Sequence, residues 1–180
     1  MDLYEILIHQ NPPWSSRETV CFAVLLCLLF ITVAVLIRKR KLKGVQGTAI
    51  LLIYIFLFVV FASTVFTRVP TSEANYNLQL FWSYRYVLEN NSVGMLEEIL
   101  LNCVLLMPLG VLLPFALGKP VSVWFACLTG LVVSSCIEVC QLVFHRGLFE
   151  WDDIIHNTLG CVVGYVIARR ACRYIAGRKN

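Results

Sequence analysis

Long apolar runs broken by short polar segments divide the chain into five windows, 19–37, 48–67, 99–117, 121–144 and 154–168. The first three carry no charge and run to about 20 residues, the length at which a helix crosses a hydrocarbon core of roughly 30 Å. The fifth is short, and it lengthens through Ala168 and Cys172 if Arg169 and Arg170 snorkel to the interface. The pattern predicts an all-α fold: a single polytopic membrane bundle of about five helices over residues 1–180. Only 14 % of the residues are charged and 59 % are hydrophobic, far from the balance of a soluble domain.

Two of these windows carry polar stripes. Ser134, Glu138, Gln141 and His145 recur at helical spacing, which places them on one face. Asp153, Asn157, Gly160 and Gly164 repeat the arrangement on the next helix, with an Arg146-containing loop between. In the third window Asn102 lies one turn below Glu98 on the same face. Pro108 and Pro114 predict a bent helix there, and Gly110 a close backbone approach. At the rise of an α-helix, Glu138 sits roughly 9 Å below the membrane boundary and Asn102 and Asn157 about 5 Å below it. Asp152, Asp153, Arg146 and His145 sit at the boundary itself, and Arg68 is a further cation within reach. An ionisable group at such depth needs a named partner. The expected binding residues are therefore Asn102, Glu138, Gln141, Arg146, Asp152, Asp153 and Asn157, with Glu138 meeting Asn102, Asn157 or Arg146.

Charge sets the orientation. Arg38, Lys39, Arg40, Lys41 and Lys43 follow the first span, and Arg169, Arg170, Arg173, Arg178 and Lys179 follow the fifth. The positive-inside rule puts both groups in the cytoplasm and the N-terminus outside. Every acidic residue, from Asp2, Glu5 and Glu18 through Asp153, then falls on the outer side or toward it. The net charge of +4 thus describes a polarised membrane molecule, with membrane lipids as partners and no nucleic acid. The first span reads as a reverse signal anchor without a cleavage site. The eight cysteines, seven of them within predicted spans, read as small apolar filler and form no disulfide framework. Between spans two and three, Tyr76, Phe81, Trp82, Tyr84 and Tyr86 predict a 68–98 loop resting at headgroup level, either anchoring or capping a site. Asn90-Asn91-Ser92 matches a glycosylation acceptor, a short pattern that also arises by chance.

Three chemistries compete for the polar layer. Amides between membrane helices act as glue, Arg146 with Asp152 or Asp153 makes a hairpin clasp, and Gly160-x-x-x-Gly164 makes a packing seam. Glu138 argues for more than glue, since a lone buried carboxylate is too costly. A metal site lacks the usual spacing of zinc ligands, so no metal and no cofactor is expected. An enzyme would use Glu138 and Asp153 as acid and base, although no nucleophile stands beside a base.

Several of these residues resemble a known family. Asn102 to Gly110, with Pro108-Leu109-Gly110, resembles the N-x-x-x-F-x-P-x-G segment of VanZ-like membrane proteins, with Leu106 in place of Phe. Glu138-x-x-Gln141, Arg146, Asp152-Asp153, Asn157 and Gly160 are similar to the family's second signature. Asn77 to Trp82 is similar to its aromatic loop motif, with Leu80 where Pro is usual. The resemblance covers about residues 50–168. It implies a multi-pass protein of the bacterial cell membrane and a link to resistance against teicoplanin-type glycopeptide antibiotics. The implied ligand is an outer-leaflet one: a lipid-linked wall precursor, an anionic headgroup or a lipoglycopeptide. Binding or altered surface presentation is the first reading. An integral membrane enzyme acting on a lipid headgroup is the alternative.

Overall fold

A computed structural model describes residues 16–177. Asp2 and Glu5, and Arg178 and Lys179, which entered the orientation argument, lie outside the described residues, as does the N-terminus. The chain forms α1 (Ser16–Arg38), α2 (Gly44–Phe61), a π-helical turn (Ala62–Phe66), β1 (Asn75–Asn77), α3 (Trp82–Asn90), α4 (Val93–Leu105), α5 (Met107–Leu117), α6 (Val123–Val143), β2 (Leu148–Glu150) and α7 (Trp151–Gly177). It is an all-α membrane bundle with one three-residue parallel ladder.

Among the described residues four segments are long and apolar enough to cross a membrane: Thr19–Arg38, Gly44–Phe66, Val93–Leu117 and Val123–Val143. The fifth expected span is the core of α7. That helix has 27 residues, about 40 Å of length, and it carries Asp152, Asp153, Arg169, Arg170 and Arg173 near its ends. It tolerates this polarity because its polar face packs on α4, α5 and α6, while Ile155, Leu159, Val163 and Ile167 stay exposed on the other. By contrast α1 lies chiefly against α2 and exposes Val20, Val24, Leu28 and Ile31, a surface suited to lipid.

The third predicted span is two helices. Pro108 has no N–H to give and its ring crowds the carbonyl one turn back, so the α-helical ladder stops at Leu106 and restarts. Pro114 lies inside α5 without ending it. The break lies against α7, where glycines let backbones touch. A Cβ on Gly160 would strike the Cys103 carbonyl, one on Gly164 the Met107 carbonyl, and one on Gly110 the Cys161 carbonyl. The predicted close approach at Gly110 and seam at Gly160 and Gly164 are both present. Val60, Val65, Leu106, Leu109, Leu113, Ile137 and Tyr165 form the core around them.

Successive spans alternate in direction, α4 and α5 running on as one, so each end of the bundle gathers particular loops. One end holds the tail of α2, the 68–98 segment, the start of α4, the end of α6 and the start of α7. There Thr71 N donates to His145 O at 2.8 Å, and Tyr76 pairs with Phe149. The other end gathers the loops after α1 and α5 with the last turns of α7: Gly118 packs on Gln46, and the Tyr165 hydroxyl donates to Val121 O.

Candidate functional site

At the first of these ends the polar stripes meet. Ser134, Glu138 and Gln141 are all buried on α6, and His145 lies past its end with a positive φ of 53°. Asp152 and Asn157 are buried on α7, and Asp153 is half-buried. Asp152 and Asp153 occupy the first turn of α7, where the positive end of the helix dipole favours a carboxylate.

Each polar group has its own holder. Asn102 Nδ2 donates to Asp153 Oδ1 at 2.6 Å, joining α4 to α7. Asn157 Nδ2 donates to Ser134 Oγ at 2.9 Å, joining α7 to α6. Glu138, 1 % exposed, accepts from Glu150 N at 3.0 Å. That donor is none of Asn102, Asn157 and Arg146, the residues expected to contact Glu138. A backbone donor in β2 takes that role because the 145–150 turn folds back over the end of α6.

Gln141 and Arg146 serve another purpose. The last carbonyls of a helix lack internal partners, and the π-turn ends α2 with Thr64 O and Phe66 O turned toward α6. Gln141 Nε2 donates to Thr64 O at 3.1 Å, and Arg146 Nη1 donates to Phe66 O at 2.5 Å. A guanidinium at a helix C-terminus also meets the negative end of the dipole. The hairpin clasp between Arg146 and Asp152 or Asp153 does not form: among the described residues no such ion pair is present, since the guanidinium is turned to the α2 terminus.

Asp152 instead fastens the aromatic loop. Its Oδ1 accepts from Phe81 N at 2.6 Å, and its Oδ2 accepts from Ser83 N at 3.1 Å and Ser83 Oγ at 2.6 Å. Phe81 is in the left-handed region, φ 59°, where a side chain costs energy. The two amide bonds to a buried carboxylate hold it there. One residue further, the Tyr84 hydroxyl lies 2.7 Å from His156 Nε2, and the two rings meet edge to face. The 68–98 segment therefore caps the end of the bundle through α3.

Beneath that cap is a cavity of about 330 Å³, lined by Arg68, Glu98, Asn102, Glu150, Asp153 and His156, with Ser83 above. Arg68 runs past Gly147, whose missing Cβ would lie 2.9 Å from Arg68 Nη1. Burial, then the neighbouring charge of Asp153, pushes the Glu150 carboxyl up to about 7. Glu150 Oε1 and His156 Nδ1 are buried without a hydrogen-bond partner among the described residues. Leu101 and Leu148, also on the wall, are exposed to the surroundings of the bundle.

Of the residues singled out by sequence, Asn102 and Asp153 line the cavity, while Glu138, Gln141, Arg146, Asp152 and Asn157 stand behind it, fixing the elements that do. Glu98, Glu150, Ser83 and Tyr84 were absent from that set. Glu98 carried a usable signal, one turn from Asn102 on the same face. Ser83 and Tyr84 had a weaker one, following directly on the aromatic loop motif. Among the described residues no group of three His, Cys, Asp or Glu could hold a metal ion, and all eight cysteines are free.

Comparison with known proteins adds the family. No curated protein and no solved structure matches the chain. The VanZ/LLP1 family model matches residues 48–173, which takes in most of α2, the aromatic loop, the Pro-broken helix and both polar stripes. This multi-pass membrane protein belongs to the VanZ/LLP1 family.

Proposed function

We propose that the cavity seats the polar head of a membrane amphiphile, a lipid-linked wall precursor in the outer leaflet, and that the protein acts by binding that head and changing its presentation at the cell surface. The carrying observation is the composition of the wall: one guanidinium, Arg68, together with the carboxyls of Glu98, Glu150 and Asp153 and the amide of Asn102. A guanidinium fork matches a phosphate. Carboxylates and amides match the hydroxyls and amides of a sugar-peptide head. Exposed Leu101 and Leu148 on the same wall leave a path for an acyl or prenyl chain into the bilayer. The positive-inside rule turns this end outward, because the loops after α1 and the end of α7 carry the basic residues. Glycopeptide resistance would follow from a shielded or displaced precursor.

The alternative is an enzyme of lipid headgroups. With Glu138 behind the wall, Glu150 and Asp153, two of the three carboxyls that line it, would act as acid and base. A polyprenyl-diphosphate-linked aminosugar, added to the full chain in lipid nanodiscs, tests both. Binding should weaken at least tenfold in Arg68→Gln and in Asp153→Asn at an unchanged melting temperature. Affinity that survives both changes removes the binding reading. Release of free sugar or diphosphate by the unaltered protein moves the enzyme ahead, and teicoplanin susceptibility of a bacterial host with and without Arg68→Gln then tests the link to resistance.

A further inference from the structure

The opposite end of the bundle has a second cavity of different character. α5 ends at Gly118 in the left-handed conformation, φ 66°, and the chain turns through Lys119 and Pro120 toward α6. The Tyr165 hydroxyl holds this turn by donating to Val121 O. Arg169 and Arg173 follow Tyr165 at successive four-residue steps, so α7 presents them on the face that meets the turn. Between them lies a cavity of about 380 Å³. It is lined by the basic Lys119, Arg169 and Arg173 and by the apolar Pro114, Phe115 and Cys172.

Three cations face this space, and among the described residues no carboxylate lines it. Arg169 is half-buried, and its Nε is buried without a hydrogen-bond partner among the described residues. A guanidinium held in that way needs an acceptor. Its neighbour Arg170 is exposed and outside the cavity wall, the ordinary state of a basic residue resting on a membrane surface. We propose that this cavity is a binding site for one anionic phospholipid, its phosphate held by Arg169, Arg173 and Lys119 and its glycerol and upper acyl carbons against Pro114 and Phe115. A free phosphate would satisfy the cations and leave the apolar wall without a partner. A lipid satisfies both, and the site lies where the transmembrane part of α5 ends. The proposal is independent of the polar cavity at the other end, and the positive-inside rule places this lipid in the cytoplasmic leaflet.

The test is native mass spectrometry of the full chain released from micelles doped with phosphatidylglycerol or phosphatidylcholine, beside thermal unfolding in each lipid. Phosphatidylglycerol should stay bound where phosphatidylcholine is lost, and should raise the melting temperature of the unaltered protein more. Arg169→Gln should lower retained phosphatidylglycerol about fivefold, and the double change of Lys119 and Arg173 to Gln further, while Arg170→Gln leaves it unchanged. Arg169→Lys keeps the charge without the planar fork and should restore part of the retention. Excess inorganic phosphate should not displace the lipid. Equal retention of both lipids, equal loss in Arg169→Gln and Arg170→Gln, or displacement by phosphate each overturns the proposal; the last would make this a site for a free anion. Because the melting comparison needs no variant, a misfolded Arg169→Gln protein leaves the proposal exposed to failure.

Discussion

Where α6 hands over to α7, acidic side chains are drawn inward and held: Asp152 by Phe81 and Ser83, Asp153 by Asn102, Glu138 by the backbone of Glu150. At the other end the basic side chains of residues 38–43, Lys119 and Arg173 stand exposed. The difference follows from what each charge can do at a membrane boundary. Long Lys and Arg stems reach the headgroups from a helix end and need no protein partner. Short carboxyls cannot, so they persist near the membrane only where backbone amides or side-chain amides meet them. An end built of acids must therefore be an organised structure, whereas an end built of bases can be loose.

The sharpest way to break this comparison is to show that both ends face the same solvent. In a protein with its native cysteines replaced, Glu89→Cys on exposed α3 should react with an impermeant maleimide added outside intact cells, and Lys41→Cys should react only after lysis. The expected contrast is all or none. Reversed labelling would turn the acidic cavity inward and end the assignment of its ligand to the outer leaflet.

The next effect is energetic. Asp152→Ala removes three hydrogen bonds to a buried carboxylate and leaves the Phe81 and Ser83 amides without acceptors. At 1.5–3 kcal/mol for a bond to a charged group, partly offset by rearrangement, the loss is about 4 kcal/mol. Arg170→Gln at the opposite end should change stability by no more than about 0.5 kcal/mol. Melting in detergent of both variants gives the ratio directly. Similar small shifts would mean that the aromatic loop is not fastened by Asp152, and the cap over the cavity would have to be held otherwise.

Much of the acidic end was legible in the sequence because helical periodicity encodes faces. The spacing of Ser134, Glu138 and Gln141, and of Asp153, Asn157, Gly160 and Gly164, put the right residues at the contact between α6, α7 and the Pro-broken helix. The glycine seam was equally readable, since only glycine lets the Cys103, Cys161 and Met107 carbonyls come so close. What could not be read were partners on the backbone. Thr64 O, Phe66 O, Phe81 N and Glu150 N carry no sequence signature, and these atoms receive Gln141, Arg146, Asp152 and Glu138. An argument from depth groups the polar residues in one layer, yet it could not tell which members face a cavity and which stand behind it. The pairing of 75–77 with 148–150 is three residues long and spans some seventy positions, too short for alternation to announce it.

The smallest effect is a dependence on pH that only the acidic end should have. Glu150 lies outside the helices, and burial with the nearby charge of Asp153 holds its carboxyl up to about 7 against an ordinary 4.5. Asp152 and Glu98 add to the rise, and Arg68 and His156 also face the cavity. Between those two values the folded protein keeps a proton that the unfolded chain has released. Its contribution to stability is thus complete below 4.5 and is lost as pH rises through about 7. Melting temperature in nanodiscs should fall between pH 5 and pH 8, and Glu150→Gln should flatten that fall because its amide stays neutral throughout. Phosphate binding in the cavity should weaken over the same range, since the ionised Glu150 adds a negative charge to its wall. Arg170→Gln, at the basic end, should leave both curves as they are. A Glu150→Gln protein with the full pH dependence would mean that another acid in the layer titrates there, and Asp153 would be the next to replace.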